Sequence, residues 1–271
     1  MIIKLEIKSF FFKLLSKIDT SKKKIIFKQG WIIRIIDKKD NEGFGEISPL
    51  SNNDCNLCKK QIDILPKEIS NNILREMIKN FHPSVQSGIN CALAEIEGVL
   101  KFKEKYNFED ISQTAILINT ESIFKDLDSI IKKNFATKKQ LTIKWKVAIK
   151  DNKTEEKILE ELLSRIPNNV RFRIDANGSW DRKCAQRWID ILSNNNNLDW
   201  LEQPLQEDDI EGLKILGKKI PIALDESLIK YPNLCISWEG WQIRRPSQEK
   251  NPIDLLNALE KKKRFISISS S

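Results

Sequence analysis

Three short stretches in the second half of the sequence decide the fold: Arg173-Ile174-Asp175-Ala176-Asn177, Trp200-Leu201-Glu202-Gln203-Pro204 and Ala223-Leu224-Asp225-Glu226-Ser227. Each is an apolar, strand-like run that ends in a carboxylate. The carboxylates are 27 and 23 residues apart, which is about the length of one strand-helix unit. Helical patterns fill both gaps. The stretches therefore predict successive strands of a parallel sheet, each followed by a helix.

The three carboxylates are candidates for a metal site. In a (β/α) barrel the C-terminal ends of successive strands surround one mouth, where active sites lie. We therefore expect Asp175, Glu202 and Asp225 to meet in space. Carboxylates that lie together repel one another unless a cation binds between them, and all-oxygen ligation suits Mg²⁺, for which Mn²⁺ can substitute. The sequence predicts a magnesium site here.

Two lysines precede this run on a strand of strict alternation. The apolar side chains from Leu141 to Val147 fall on one face, and Thr142, Lys144 and Lys146 fall on the other. If the apolar face meets the outer helices, both lysines point into the barrel mouth. Lysine becomes a useful base where desolvation or neighbouring cations lower its pKa.

The ordered set of motifs resembles the enolase superfamily. Lys-x-Lys at 144–146, Asp-Ala-Asn at 175–177, Glu-Gln-Pro at 202–204 and Asp-Glu-Ser at 225–227 follow one another, one per strand. Within that superfamily the chain looks most like the o-succinylbenzoate synthases of menaquinone and phylloquinone biosynthesis. Segments 30–34 and 45–50 resemble the family's N-terminal capping domain.

This resemblance implies an α/β fold with two domains. An α+β capping domain is expected at 1–108 and an enolase-like (β/α) barrel at 109–271. The capping domain would contain a three-stranded sheet, with two loops, near 10–25 and 48–58, that close over the barrel mouth. Residues 265–271 are typical of a seventh strand, so the barrel is expected to be incomplete at its C-terminus.

The resemblance also implies a reaction on a small-molecule carboxylate. Enolase-superfamily sites use a lysine or histidine base beside Mg²⁺. Lys146 would remove the α-proton and return it to a departing hydroxyl in a syn dehydration. Lys144 would lower the pKa of Lys146 and help to bind the substrate carboxylate, to which Asn177, Ser269 and Ser270 would add contacts.

One position departs from the family pattern. The family has a second catalytic lysine directly before a proline on strand six, where this sequence has Arg245 before Pro246. Arginine stays protonated at ordinary pH, so it cannot transfer protons. It can still supply positive charge and stack on a planar anion. A dipeptide epimerase or N-acylamino-acid racemase needs a base on each face of the substrate, and Arg245 argues against that alternative.

A second alternative is a catalytically inactive homologue that acts as a binding protein. Its motivation is Arg245 together with the missing last strand of the barrel. Metal-dependent turnover would separate this alternative from an enzyme.

Composition excludes several other classes. No apolar run approaches the roughly 20 residues of a membrane span, and the N-terminal sequence lacks the features of a signal peptide, so membrane insertion is not expected and a cytoplasmic protein is. The net charge of +8 is spread over scattered lysines, which gives no reason to expect nucleic-acid binding. The single CxxC, Cys55 to Cys58, has no second ligand pair for zinc. The sequence does not indicate an oligomeric state.

The first hundred residues predict both strands and helices. Alternation from Ile3 to Ile7 and the β-prone run 31–36 predict strands, and Gly43 and Gly45 indicate a turn. Residues 62–81 are expected to be helical in part. The segment Ser84 to Leu100 carries apolar residues at helical spacing and predicts a helix.

Overall fold

The chain divides into two compact units, each with its own large hydrophobic core. The computed structural model describes residues 1–19, 24–49, 51–100, 114–134, 141–260 and 266–268. The first unit comprises the described residues within 1–18, 25–106 and 244–271, and the second those within 19–24 and 107–243. The predicted boundary between 108 and 109 lies outside the described residues and stays a prediction.

The first unit contains a four-stranded sheet, formed by β1 (Ile2–Asp19), β2 (Lys24–Asp37), β3 (Glu42–Ile47) and β4 (Glu68–Ser70). The order of the strands in the sheet is β3-β2-β1-β4. β1 pairs with β4, and β2 pairs with β3, in antiparallel fashion. The expected count of three strands was wrong, because the short strand β4 forms within the segment 62–81, which was predicted to be helical in part.

The two expected loops of the first unit were also wrong in their secondary structure. Residues 10–19 continue β1, and 24–25 begin β2. Residues 52–58 lie in helix α1 (Asn52–Asp63), whose N-cap Ser51 accepts a hydrogen bond from the backbone N–H of Asp54 at 3.1 Å. An N-cap serine satisfies a backbone donor at a helix start, and the helix begins directly after Ser51.

Helix α2 (Asn71–Ile78) and helix α3 (Pro83–Ile96) complete the core of the first unit. Gly43 and Gly45 lie within β3 and do not form the predicted turn. A Cβ atom on Gly45 would lie 1.8 Å from the carbonyl oxygen of Gly88 in α3. Glycine is required here because the strand and the helix touch backbone to backbone.

Helix α3 ends at Ile96, four residues before the predicted end at Leu100. Gly98 has a φ of +69°, and its N–H donates to the carbonyl of Glu95 at 3.0 Å. The N–H of Val99 donates to the carbonyl of Ala94 at 2.9 Å. This is the Schellman arrangement, in which a left-handed glycine satisfies the last helical carbonyls and stops the helix.

The second unit alternates strands with helices, as the sequence predicts. The elements in chain order are β5 (Ile116–Ile118), α4 (Ile123–Asn134), β6 (Leu141–Lys146), α5 (Asn152–Arg165), β7 (Val170–Asp175), α6 (Arg182–Leu192), β8 (Leu198–Glu202), α7 (Ile210–Gly217), β9 (Ile222–Leu224), α8 (Glu226–Lys230), α9 (Leu234–Ser237) and β10 (Trp241–Arg244). Every neighbouring pair from β5 to β10 is parallel. The unit therefore forms a (β/α) barrel that is incomplete in the described residues.

The apolar faces of these strands pack against the helices. Trp145 on β6 lies against Trp188 on α6, with ring centroids 5.8 Å apart, and Trp180 lies 4.5 Å from the same ring. Trp145 and Trp188 are fully buried. Aromatic side chains of this size remove a large apolar area from water. Their burial turns the opposite face of β6, with its lysines, to the inside of the curved sheet.

The strand register brings the predicted site residues together at the C-terminal end of the parallel sheet. Lys146 is paired with Asp175, and Asp175 with Glu202. Glu202 is paired with Ala223, two residues before Asp225. Parallel strands in this register end together, so the polar residues at their C-terminal ends converge.

The last described elements are a 3-10 turn (Pro246–Gln248), helix α10 (Pro252–Glu260) and the short strand β11 (Ile266–Ile268). Among the described helices, none combines the length and the apolar character that crossing a bilayer requires.

Candidate active site

The ammonium group of Lys144 lies between two buried carboxylates. Its Nζ donates to Oε1 and Oε2 of Glu202 at 2.7 and 2.8 Å, and it lies 2.9 Å from Oδ2 of Asp175. The two acidic side chains are each 1% exposed. Buried carboxylates require compensating charge, and Lys144 supplies it in this structure.

Lys146 also contacts this cluster. Its Nζ donates to Oδ2 of Asp175 at 2.8 Å and to Oδ1 of Asn177 at 3.2 Å. Asn177 adopts a left-handed φ of +48°, donates its backbone N–H to Oδ1 of Asp175 at 3.0 Å, and contacts Glu226 through Nδ2 at 3.2 Å. Asn is one of the residues that tolerates this conformation. The turn after β7 thus directs Asn177 back toward Lys146.

Asp225 is fully buried directly after β9. Its backbone N–H donates to the side-chain oxygen of Gln203 at 3.0 Å. Gln203 directly follows Glu202 in the chain, and Glu202 is paired with Ala223, two residues before Asp225. The third predicted carboxylate therefore belongs to the same polar cluster.

The pKa values of the cluster follow from burial and charge. Burial raises the pKa of Asp175, but the charges of Lys144 and Lys146 outweigh it and hold this pKa well below its ordinary value. Burial and repulsion from Asp175 raise the pKa of Glu202, although Lys144 opposes them. Burial lowers the pKa of Lys144, but its two carboxylate partners raise it above the ordinary value. Lys144 therefore stays protonated and is unsuited to act as a base.

Comparison with known families covers both halves of the chain. The family described as "MenC, N-terminal domain" matches residues 6–96, and the family described as "Enolase C-terminal domain-like" matches residues 133–234. The second match includes both lysines and all three carboxylates of the cluster.

The chain is therefore similar to the enolase superfamily.

Its curated relatives include enzymes of two activities. An o-succinylbenzoate synthase of Thermosynechococcus vestitus is 30% identical over 213 residues, which is 74% of this chain and 62% of the relative. A hydrophobic dipeptide epimerase of a Flavobacteria bacterium is 47% identical over 60 residues, which is 21% of this chain and 17% of the relative. The chain thus spans less than two thirds of the length of the synthase that it matches.

Solved structures of this superfamily share the fold of the chain. The o-succinylbenzoate synthase of Thermosynechococcus elongatus BP-1, with Mg in the active site, has a TM-score of 0.77 and 24% identity and covers 99% of this chain and 84% of its own. The L-Ala-D/L-Glu epimerase of Bacillus subtilis also has a TM-score of 0.77, with 20% identity, and covers 100% and 82%. The two scores are equal, so fold alone does not discriminate between the activities.

The cluster has the donor chemistry of a divalent-cation site but is closed by its own lysine. Within the ranges that the structure describes, no group of three or more His, Cys, Asp or Glu side chains is arranged as a ready metal site. The donor chemistry nevertheless suits Mg²⁺, since Asp175, Glu202 and Asp225 offer only buried carboxylate oxygens. Lys144 lies between two of these groups, so a metal at these residues requires its ammonium group to move away.

A layer of charged and aromatic side chains adjoins the cluster. Arg171 and Arg173 donate to Oδ1 and Oδ2 of Asp199 at 2.6 and 3.0 Å. The guanidinium of Arg173 lies 3.9 Å from the ring centroid of Trp200, and the indole Nε1 contacts Oε2 of Glu202 at 3.4 Å. Sequence reasoning missed this layer. The signal was present, because alternation in β7 places Arg171, Arg173 and Asp175 on one face.

A further buried carboxylate was also missed. Glu155 in α5 is fully buried and accepts the backbone N–H groups of Ala148, Ile149 and Lys150 at 2.7, 3.0 and 3.0 Å. It thereby holds the turn that follows Lys146. The signal was its helical spacing from Leu159 and Leu162, which puts Glu155 on the apolar face of the helix.

The structure brings five of the predicted site residues into one hydrogen-bonded network: Lys144, Lys146, Asp175, Asn177 and Glu202. Asp225 joins this network through Gln203. Arg245 directly precedes the 3-10 turn and belongs to the first unit, so its catalytic role stays a prediction. Ser269 and Ser270 lie outside the described residues.

Proposed function

We propose that this protein is a magnesium-dependent o-succinylbenzoate synthase of the enolase superfamily. The reaction is the syn dehydration of 2-succinyl-6-hydroxy-2,4-cyclohexadiene-1-carboxylate to 2-succinylbenzoate, a step of menaquinone or phylloquinone biosynthesis. The observation that carries the proposal is the placement of Lys146 against Asp175 and Asn177, beside carboxylates that Lys144 already bridges. The synthase of Thermosynechococcus vestitus, which aligns with 74% of this chain, supports the same activity.

Asp175, Glu202 and Asp225 are the residues proposed to hold Mg²⁺. Their chemistry fits a hard cation, and a related synthase structure contains Mg in its active site. When bound, the metal would act as a Lewis acid toward the negative charge that develops on the substrate carboxylate. Mn²⁺ is proposed as a substitute, since it takes the same oxygen ligands.

Lys146 is proposed as the base and as the acid. As a neutral amine it takes the α-proton, and the electrons of the broken C–H bond form the new C=C bond of the ring. The resulting ammonium then donates the same proton to the hydroxyl that leaves the neighbouring carbon, which releases water. Both transfers occur on one face of the ring in a syn elimination, so a single base is sufficient.

Other residues are proposed to bind and orient the substrate. Lys144 stays protonated and would bind the substrate carboxylate once it leaves Glu202. Arg245, which cannot transfer protons, would supply positive charge on the opposite face. Asn177, Ser269 and Ser270 are proposed substrate contacts. A cytoplasmic location and a small-molecule carboxylate substrate are part of the same proposal.

The test is the dehydration reaction itself, followed by absorbance with and without Mg²⁺. We expect turnover that EDTA removes and that added Mg²⁺ restores. Lys146→Ala should lower kcat by at least about 10³-fold, because general acid-base catalysis contributes roughly 10²–10⁴-fold for each transfer. Lys150→Ala, in the turn after the same strand, is the matched control and should retain normal turnover. A near-normal kcat in Lys146→Ala would show that Lys146 is not the base.

Dipeptide epimerisation is the second candidate, and the 60-residue match to a hydrophobic dipeptide epimerase favours it. Incubation with hydrophobic dipeptides in D₂O would reveal it as deuterium incorporation at the α-carbon with inversion. We expect no inversion, because Arg245 cannot act as a base. A binding protein without catalysis, the third reading, would bind the synthase product while showing neither reaction.

A further inference from the structure

Gln203 lies between Glu202 and Pro204, at the end of β8, and is fully buried. Its φ of +37° falls in the left-handed region, which residues other than glycine rarely adopt. Such a conformation persists only where the surroundings hold it. Gln203 therefore has a backbone that its neighbours must maintain.

The side-chain amide of Gln203 makes every hydrogen bond of which it is capable. Oε1 accepts the backbone N–H groups of Asp225 at 3.0 Å and of Ser227 at 3.2 Å. Nε2 donates to the carbonyl oxygen of Leu205 at 3.0 Å and to Oγ of Ser227 at 2.8 Å. An amide has two donors and two acceptor positions. With all four engaged, Gln203 has no lone pair left to ligate a metal.

These bonds, with those of the backbone, join the ends of three strands. The carbonyl of Gln203 accepts the N–H of Gly178, beyond β7, at 2.7 Å, and its own N–H donates to the carbonyl of Ala223 in β9 at 2.8 Å. Its side chain holds the N–H of Asp225, and its neighbour in the chain is Glu202. One residue therefore links the three turns that carry Asp175, Glu202 and Asp225.

We propose that Gln203 is a positioning residue for the divalent cation: it sets the spacing between Glu202 and Asp225 and so determines Mg²⁺ affinity without contacting the metal. This inference rests on the proposed metal role of the three carboxylates. A group that orients metal ligands typically changes metal affinity by about 10–100-fold when it is removed, whereas a purely structural residue changes the stability of the fold and leaves the affinity of the folded protein unaltered.

The experiment is titration of the full metal-free chain with Mg²⁺, followed by calorimetry, together with urea unfolding without metal. Gln203→Leu removes all four bonds at similar size, and we expect its Mg²⁺ affinity to fall by at least about 10-fold. Gln242→Leu is the matched control. Gln242 is equally buried, and its Nε2 donates to the carbonyls of Cys235 and Trp238 at 3.4 and 3.2 Å. We expect the control to lose stability but to bind Mg²⁺ within about 2-fold of the wild-type protein.

A milder variant covers the case in which Gln203→Leu does not fold. Ser227→Ala removes one partner of the Gln203 amide, and we expect Mg²⁺ affinity to fall by a smaller factor in the same direction. Wild-type Mg²⁺ affinity in the folded variants, or an equal loss in Gln242→Leu, would overturn the positioning role alone. Failure of the wild-type chain to bind Mg²⁺ would instead overturn the proposed metal site, and the positioning role with it.

Discussion

Lys144 reaches across β7 to donate to both carboxylate oxygens of Glu202, at 2.7 and 2.8 Å. The two residues lie on strands β6 and β8, which are not neighbours in the sheet. The same ammonium group also lies 2.9 Å from Oδ2 of Asp175, on the intervening strand. The protein thus carries its own cation among the predicted metal ligands. This internal ion pair and a bound Mg²⁺ would compete for the same oxygens.

Replacing Lys144 by Met should therefore change metal affinity and stability in opposite directions. Removing a positive charge next to the ligands should raise Mg²⁺ affinity by about 10-fold or more. The metal-free protein should lose about 3–5 kcal/mol of unfolding free energy, because two buried carboxylates lose their partner. Calorimetry with Mg²⁺ and urea unfolding measure the two effects. Lys150→Met is the control, with no change expected in either. A weaker Mg²⁺ affinity in Lys144→Met would contradict the competition.

Glu155→Gln should loosen the turn that follows Lys146. The carboxylate accepts three backbone N–H groups, whereas a glutamine has a single acceptor oxygen and turns its own N–H₂ toward a donor. We expect a loss of about 2–3 kcal/mol in unfolding free energy and faster hydrogen exchange at the amides of residues 148–150.

The adjacent Glu156→Gln is the matched control for this change. Glu156 pairs with Arg187 at 2.9 Å near the surface, and exposed pairs contribute about 0–1 kcal/mol. If both variants lost the same stability, or if exchange at 148–150 stayed slow, Glu155 would not be the residue that holds the turn.

His82 makes stability depend on pH in a defined direction. Its Nδ1 accepts the backbone N–H of Ser84 at 3.2 Å as the N-cap of α3, a role that only the neutral ring can perform. Burial lowers the pKa of His82, although Asp54 opposes the shift. Because the folded-state pKa lies below the unfolded value of about 6.5, the contribution is fully present above pH 6.5. It is lost as pH falls through the folded-state pKa.

His82→Asn isolates this contribution, because asparagine is a good N-cap that does not titrate. The measurement is unfolding free energy in urea between pH 7 and pH 5 for both proteins. We expect the wild-type protein to lose more stability than the variant on acidification. Parallel curves would show that the imidazole does not cap the helix.

Two cysteines should be inert in the folded protein. Burial raises the pKa of Cys58 to about 12 and that of Cys184 to about 11. Since the thiolate is the reactive form, neither should react with a disulfide reagent at pH 8 until the protein unfolds in urea. Mass spectrometry of labelled peptides measures this directly. Labelling of either thiol within seconds in native buffer would contradict it.

The sequence by itself determined the order of elements in the second unit and the identity of the polar cluster. The alternation of apolar and polar residues around Lys144 and Lys146 allows only one orientation of the strand, because the apolar face must be buried. Asp175 and Glu202 end their strands and Asp225 directly follows one, and the apolar composition of each run indicates the strand. These are short-range properties, so they could be deduced from neighbouring residues.

Only the tertiary structure decided what surrounds these residues. The left-handed Gln203, the buried Glu155 and the Arg173–Trp200 stack depend on contacts with residues five or more positions away. In the first unit, β4 and the glycines of β3 were misread because strand pairing and the close approach of Gly45 to Gly88 are long-range. Local propensity does not determine which distant segments of the chain come into contact, whereas tertiary packing does.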